Sequence, residues 1–239
     1  MTSIYAPLES VGLGFVFQAA LLAAILLGLA GLSVKKRLAA EGGGILPDEG
    51  VTLRNLIEVI VIQLADLSRD IMGEDWRKHF PLIGTIFFFV LVSNMMGLVP
   101  AVGGSTSDVN TTAAWAIISF VYYNYVGIRT HGFKYIYQFM GPALMNIEIG
   151  GKHYHVRPLT PFFLPLEIVL HFARIVTLTV RLLANMYADH TVVSVWIGLV
   201  PFVIPAIFMG LGLMVSFLQA VVFALLTMIY IGSASEEPH

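Results

Sequence analysis

The sequence predicts an all-α polytopic membrane protein: one membrane domain over residues 1–239, with about five transmembrane helices and an amphipathic helix on the cytoplasmic face. Three observations predict it. Of the 239 residues 57% are hydrophobic and only 12% charged, against a charged share of about 25% in ordinary soluble domains. Several uncharged windows reach the roughly 20 residues that a helical span needs. Basic residues alternate between dense and empty stretches, the pattern that sets topology in a bilayer. A lipid bilayer is therefore the chief partner of this surface. With a net charge of −2 and no long run of one sign, nothing points to a nucleic acid. The absence of cysteine excludes disulfides and thiolate chemistry.

The first span is expected at 11–34. It has no Lys or Arg before it and Lys35, Lys36 and Arg37 directly after it, the reverse of a secretory signal peptide, so it reads as a retained helix. Residues 51–72 mix apolar positions with Arg54, Glu58, Asp66, Arg69 and Asp70, which suits an amphipathic interfacial helix entered through Gly42–Gly44 and Pro47. The second and third spans are expected at 80–100 and 111–128. The fourth helix, 162–194, carries charges, and a turn near Pro201 and Pro205 separates it from the fifth, 207–231. Of the 13 basic residues, seven lie between the first two spans, four between the third and fourth, and two within the fourth; residues 101–110 hold none. Because basic loops stay cytoplasmic, the N-terminus is expected outside and Glu236–His239 inside.

On the fourth helix, Glu167, His171, Arg174, Leu178, Arg181, Asn185 and Asp189 fall within about 80° of one face and extend over roughly 33 Å. Intramembrane charges cost at least about 2.5 kcal/mol each, so this face is expected on a water-filled path or a charged partner. A salt-bridge ladder is the structural alternative for Glu167, His171 and Arg174, which stand one turn apart. It does not serve Arg181, because Asp189 is about 12 Å away along the axis and the nearer neighbour on the face, Asn185, is neutral. A mid-span guanidinium that stays protonated suits lowering the pKa of a carboxylate brought by another chain. On the fifth helix Gly212, Ser216, Gln219, Phe223 and Tyr230 share a face, which fits close helix packing or half of a channel wall.

The stretch Arg181-Leu182-Leu183-Ala184-Asn185-Met186-Tyr187-Ala188 resembles the signature of subunit a of F-type rotary ATP synthases. Leu218-Gln219-Ala220 with Tyr230 and the ending Ser233 to Glu237 is similar to that family's last helix, and Asn94–Pro100 and Asp108–Asn110 to its second and third spans. The resemblance implies a stator in the Fo sector of a bacterial inner membrane, with the last two helices tilted against a rotating c-ring. It further implies a peripheral-stalk subunit b, the other synthase subunits as partners, and ATP chemistry that resides elsewhere, with no cofactor in this chain. Arg181 then separates two half-channels for protons, Asn185 and Gln219 belong to the inlet, and Glu167 stands near the outlet. This chain departs from the commoner pattern, with Asp189-His190 in place of Gly-Glu and Gly212 in place of a histidine. Asp189 and His190 are expected to relay protons at the inlet, although about 100° separates them around the helix; capping of the helix end is the alternative for His190.

Two rivals remain. A haem held between His171 and His190 is excluded by their spacing of roughly 28 Å on one helix. A secondary transporter or stand-alone proton channel would use a similar polar stripe. There is no Walker A loop, and His153 and His155 alone make a weak metal site, so neither catalysis nor a metal is expected.

Overall fold

The computed structural model describes residues 14–40, 52–99, 102–132, 135, 145–149, 152–156, 160–200 and 203–235. Among the described residues six helices follow in order: α1 Phe15–Ala40, α2 Leu53–Met72, α3 Trp76–Leu98, α4 Val109–His131, α5 Thr160–Leu199 and α6 Val203–Ser235. Short 3₁₀ turns at Gly73–Asp75 and Ser105–Ser107 precede α3 and α4. Strands are confined, among the described residues, to one antiparallel hairpin, β1 Met145–Ile149 and β2 Lys152–Val156, with Met145 opposite Val156. The fold is thus an all-helical polytopic membrane bundle with a small hairpin between α4 and α5. The Gly42–Gly44 and Pro47 lead, residues 11–13 of the first span and Glu236–His239 lie outside the described residues.

Local chemistry accounts for the helix ends. Thr52 caps α2 by accepting a hydrogen bond from the Asn55 N–H at 3.3 Å, and α2 stops at Gly73, whose φ of 65° lets its N–H reach the Arg69 carbonyl. Beyond it, the Lys78 ammonium donates to Asp75 at 2.6 Å and holds that exposed carboxyl below its usual range. Asp108 caps α4 by accepting from the Asn110 N–H at 2.7 Å. Pro205 sits in the first turn of α6, where no intrahelical N–H bond is lost, so the helix begins at Val203, before the proline. Both long helices exceed their expected bounds: α5 runs on to Leu199 and α6 starts at Val203.

The core lies where α3, α4, α5 and α6 meet. Ile86, Phe87 and Val90 of α3, Tyr123 of α4, Leu178 and Leu182 of α5, and Phe223 and Met228 of α6 are all buried there. Helix α2 lies across the end of α6, with Ser68 Oγ 3.5 Å from Met228 Sδ, and α1 packs on α3 through Ala23, Phe89 and Met96. The outer faces are apolar. Leu29 and Leu32 on α1, Phe172 and Val176 on α5, and Val203 and Ile207 on α6 are 57% to 68% exposed, a surface suited to lipid rather than water. At 40 residues α5 is about 60 Å long, twice the roughly 30 Å hydrocarbon thickness, so it crosses obliquely.

Candidate functional site

Helix α5 turns its polar stripe inward. His171, Leu178, Leu182 and Met186 are buried, Glu167, Arg174, Asn185, Asp189 and His190 are half-buried, and Arg181 is exposed at the margin of the stripe. The inward groups fall into two clusters, one toward the Ser105–Ser107 turn and one toward the basic end, where α4 finishes and α5 begins.

At the turn end, Asn185 Nδ2 donates to Gln219 Oε1 at 2.8 Å, joining α5 to α6. One to two turns further along, Asp189 faces Gly212 of α6 and His190 faces Gly97 of α3. The same junction gathers hydroxyls and an amide that the sequence did not single out as site residues. Thr106 donates to Asn94 Oδ1 at 2.7 Å, Ser93 and Ser105 hydroxyls meet at 2.9 Å, and Asn94 Nδ2 reaches the Ser216 carbonyl at 3.5 Å. These residues meet because the chain after α3 folds back on itself. Gly103 has a φ of 63°, and a Cβ on Gly104 would stand 2.3 Å from the Ser93 carbonyl oxygen, so only glycine permits that approach. Asn94, Thr106 and Ser216 are at most 1% exposed. The Asp189 Oδ2 and Ser216 Oγ atoms are enclosed without a hydrogen-bond partner among the described residues, a combination that fits groups left for water or a proton. Asp189 and His190 point to different helices, as their 100° separation requires, yet α3 and α6 adjoin here, so both side chains enter one junction.

At the basic end the chemistry is different. His171 Nδ1 stands 3.8 Å from Glu167 Oε1, and the imidazole lies edge-on to Phe120 and Tyr123 of α4. The Arg174 guanidinium rests 4.8 Å from the Tyr230 ring centroid and 5.9 Å from that of Tyr123. Two aromatic faces thus hold a cation that, among the described residues, is paired with no carboxylate. Beyond α4, burial pushes the Tyr135 hydroxyl up to about 12, which keeps it neutral as it donates to Asn124 Oδ1 at 3.0 Å. Its ring lies over Gly127.

Arg181 stands between the clusters, about 12 Å from Asp189 and about 15 Å from His171 along the helix. Among the described residues it forms no ion pair and no hydrogen bond, and its side of α5 continues through exposed Ala184 and Ala188. The eight side chains picked out in the sequence therefore divide as follows: Asn185, Gln219, Asp189 and His190 at the turn end, Glu167, His171 and Arg174 at the basic end, and Arg181 alone between them.

The model of the family described as ATP synthase A chain matches residues 16–232. The chain belongs to the ATP synthase A chain family. ATP synthase subunit a of Geotalea uraniireducens (strain Rf4) is 41% identical over 219 residues, 92% of this chain and 86% of the relative. Subunit a 3 of Pelobacter propionicus (strain DSM 2379 / NBRC 103807 / OttBd1) shows the same identity and coverage, and subunit a of Geotalea daltonii (strain DSM 22248 / JCM 15807 / FRC-32) is 42% identical over 187 residues, 78% of this chain and 76% of the relative. Membership of the A chain family makes this an integral membrane component of the Fo part of ATP synthase, serving ATP synthesis and proton transport. Both clusters and Arg181 lie within the span that the family model matches.

Proposed function

We propose that this chain is the non-catalytic, proton-translocating stator subunit of an F-type ATP synthase, with two half-channels that load and unload the carboxylates of a rotating c-ring. The observation that carries the proposal is the position of Arg181: an exposed, unpartnered guanidinium on α5, between two inward polar clusters that do not join. An exposed cation at mid-span is costly in lipid and calls for an anion from outside the chain. A ring of carboxylates moving past would supply one at each step.

The chemistry follows from that geometry. A protonated ring carboxyl approaching Arg181 has its pKa lowered by the fixed positive charge and releases its proton into the path on one side. The carboxylate then pairs transiently with the guanidinium, passes it, and takes up a proton from the other side. Arg181 itself exchanges no proton, since its guanidinium stays charged. Asn185, Gln219, Asp189 and His190 serve the inlet; Glu167, His171 and Arg174 serve the outlet. The distribution of basic residues supports an outside N-terminus and a cytoplasmic C-terminus in a bacterial inner membrane, which makes the turn end the outer one. Exposed apolar faces on α1 and α5 leave room for the ring and for subunit b.

The test is ATP-driven proton pumping in inverted vesicles that carry the assembled synthase, wild type against Arg181→Ala. Pumping is expected to vanish while ATP hydrolysis by the detached head persists. Unchanged pumping would contradict the proposal, and transport by this chain alone in liposomes would favour a free-standing transporter or channel.

A further inference from the structure

Where α1 ends and α3 begins, these two helices and α2 surround a cavity of about 540 Å³, with Gly28, Gly31, Ile57, Pro81, Gly84 and Phe88 in its wall. That volume lies within the roughly 300–1,000 Å³ of clefts that hold small ligands. The wall is apolar, and the one hydroxyl in it, that of Thr85, already donates to the Pro81 carbonyl at 2.7 Å. A hydrocarbon therefore suits the cavity better than water or a polar solute. Among the described residues, a Cβ on Gly28, Gly31 or Gly84 would meet nothing within 4 Å. These glycines widen the cleft and serve no close packing there.

Both long walls end in a cation. Lys35 continues the α1 row of Gly28 and Gly31, and Arg77 continues the α3 row of Gly84 and Pro81, each one helical turn beyond the last glycine or proline named. Both residues are exposed. The Arg77 guanidinium lies over the Trp76 ring at 5.6 Å, and Trp76 stands edge-on to Phe80 of the wall at 5.5 Å, an aromatic suited to the boundary of bilayer and water. Asp75 is taken up by Lys78 at 2.6 Å, and Glu58 of α2 stands 4.0 Å from Arg54. The exposed Glu74 remains against Lys35, Lys36 and Arg77, so the mouth keeps a positive balance.

We propose that this cavity holds one acyl chain of an anionic glycerophospholipid, whose phosphate sits between Lys35 and Arg77. The chain runs down the cleft between Gly31 and Gly84, and the glycerol lies at the level of Trp76. Basic pockets between membrane helices recognise such headgroups on the cytoplasmic side, where the basic ends of α1 and α3 stand in the topology proposed above. The lipid site does not depend on the stator function, so either can fail without the other.

The test uses the assembled synthase in phosphatidylcholine vesicles that carry a trace of phosphatidylglycerol with a photoreactive diazirine on one acyl chain. After illumination and digestion, adducts are expected within residues 27–34 and 80–88, and about fivefold fewer with the matching phosphatidylcholine probe. Lys35→Gln and Arg77→Gln are each expected to lower the yield about fivefold. Gly31→Leu fills the cleft, keeps both charges, and is expected to lower it as far. If Gly31→Leu reduces assembly, Lys35→Gln combined with Arg77→Gln carries the test. Equal labelling by the two probes would reduce the cavity to ordinary lipid contact and overturn the proposal, as would an unchanged yield in the double variant. Wild-type complex without adducts in either segment would also overturn it, the result expected if a transmembrane helix of another subunit fills the cleft.

Discussion

At the turn end of α5, polar atoms are joined by hydrogen bonds of amides and hydroxyls, Asn185 to Gln219 and Thr106 to Asn94, and the carboxyl oxygen Oδ2 of Asp189 is enclosed without a bond among the described residues. At the basic end, Arg174 is cradled by the rings of Tyr123 and Tyr230, and His171 is packed against Phe120. The first arrangement offers alternating donors and acceptors with a titratable group among them, as a proton path needs. The second fixes the Arg174 charge with aromatic faces and sets the titratable Glu167 and His171 beside it. The contrast teaches that a polar stripe of uniform appearance in sequence is built in two ways: hydrogen-bonded amides and hydroxyls at one end, and at the other a guanidinium on aromatic faces beside the Glu167 and His171 pair. Arg181 belongs to neither cluster, which is what the proposed pairing with a passing ring carboxylate requires.

Substitutions at the two ends should therefore separate rate from stability. Gln219→Leu removes the acceptor of the Asn185 amide and leaves that donor half-buried without its partner. Pumping by the assembled complex is expected to fall about tenfold, the factor that corresponds to ~1.4 kcal/mol in a barrier. Arg174→Leu deletes the cation–π contacts but keeps apolar bulk. It is expected to cost ~1–2 kcal/mol of stability, seen as a lower melting temperature of the solubilised complex, with pumping reduced less than about threefold. Should Arg174→Leu stop pumping as completely as Arg181→Ala, the distinction between the ring-held Arg174 and the exposed Arg181 would collapse. A larger thermal than functional effect would sharpen it.

Much of this was legible in the chain. The 3.6-residue period alone sorts Glu167, His171, Arg174, Asn185 and Asp189 onto the inward face, and their burial follows it. The same period leaves Arg181 without a partner on its own helix. What the period does not carry is contact between distant segments. The backbone reversal at Gly103 and Gly104, and the pairing of Thr106 with Asn94, depend on α3 being folded against the turn. The Arg174 cradle joins rings from α4 and α6 that are far apart in sequence. A rule of about 20 residues per span shortens α5 and α6, because obliquely crossing helices are longer. The hairpin, by contrast, had a readable signal: Met145, Ile147 and Ile149 alternate with polar residues before Gly150-Gly151.

The central claim, two half-paths that open to opposite sides of the membrane and are kept apart by Arg181, can be tested directly because the chain contains no cysteine of its own. Single cysteines would be placed at Gln219 and Asp189 for the turn end and at Glu167 and His171 for the basic end, in assembled complexes within sealed vesicles of each orientation. A membrane-impermeant thiol reagent is expected to modify the first pair only from the outer side and the second pair only from the cytoplasmic side. Modification of both pairs from the same side would contradict two offset paths and point to one continuous pore.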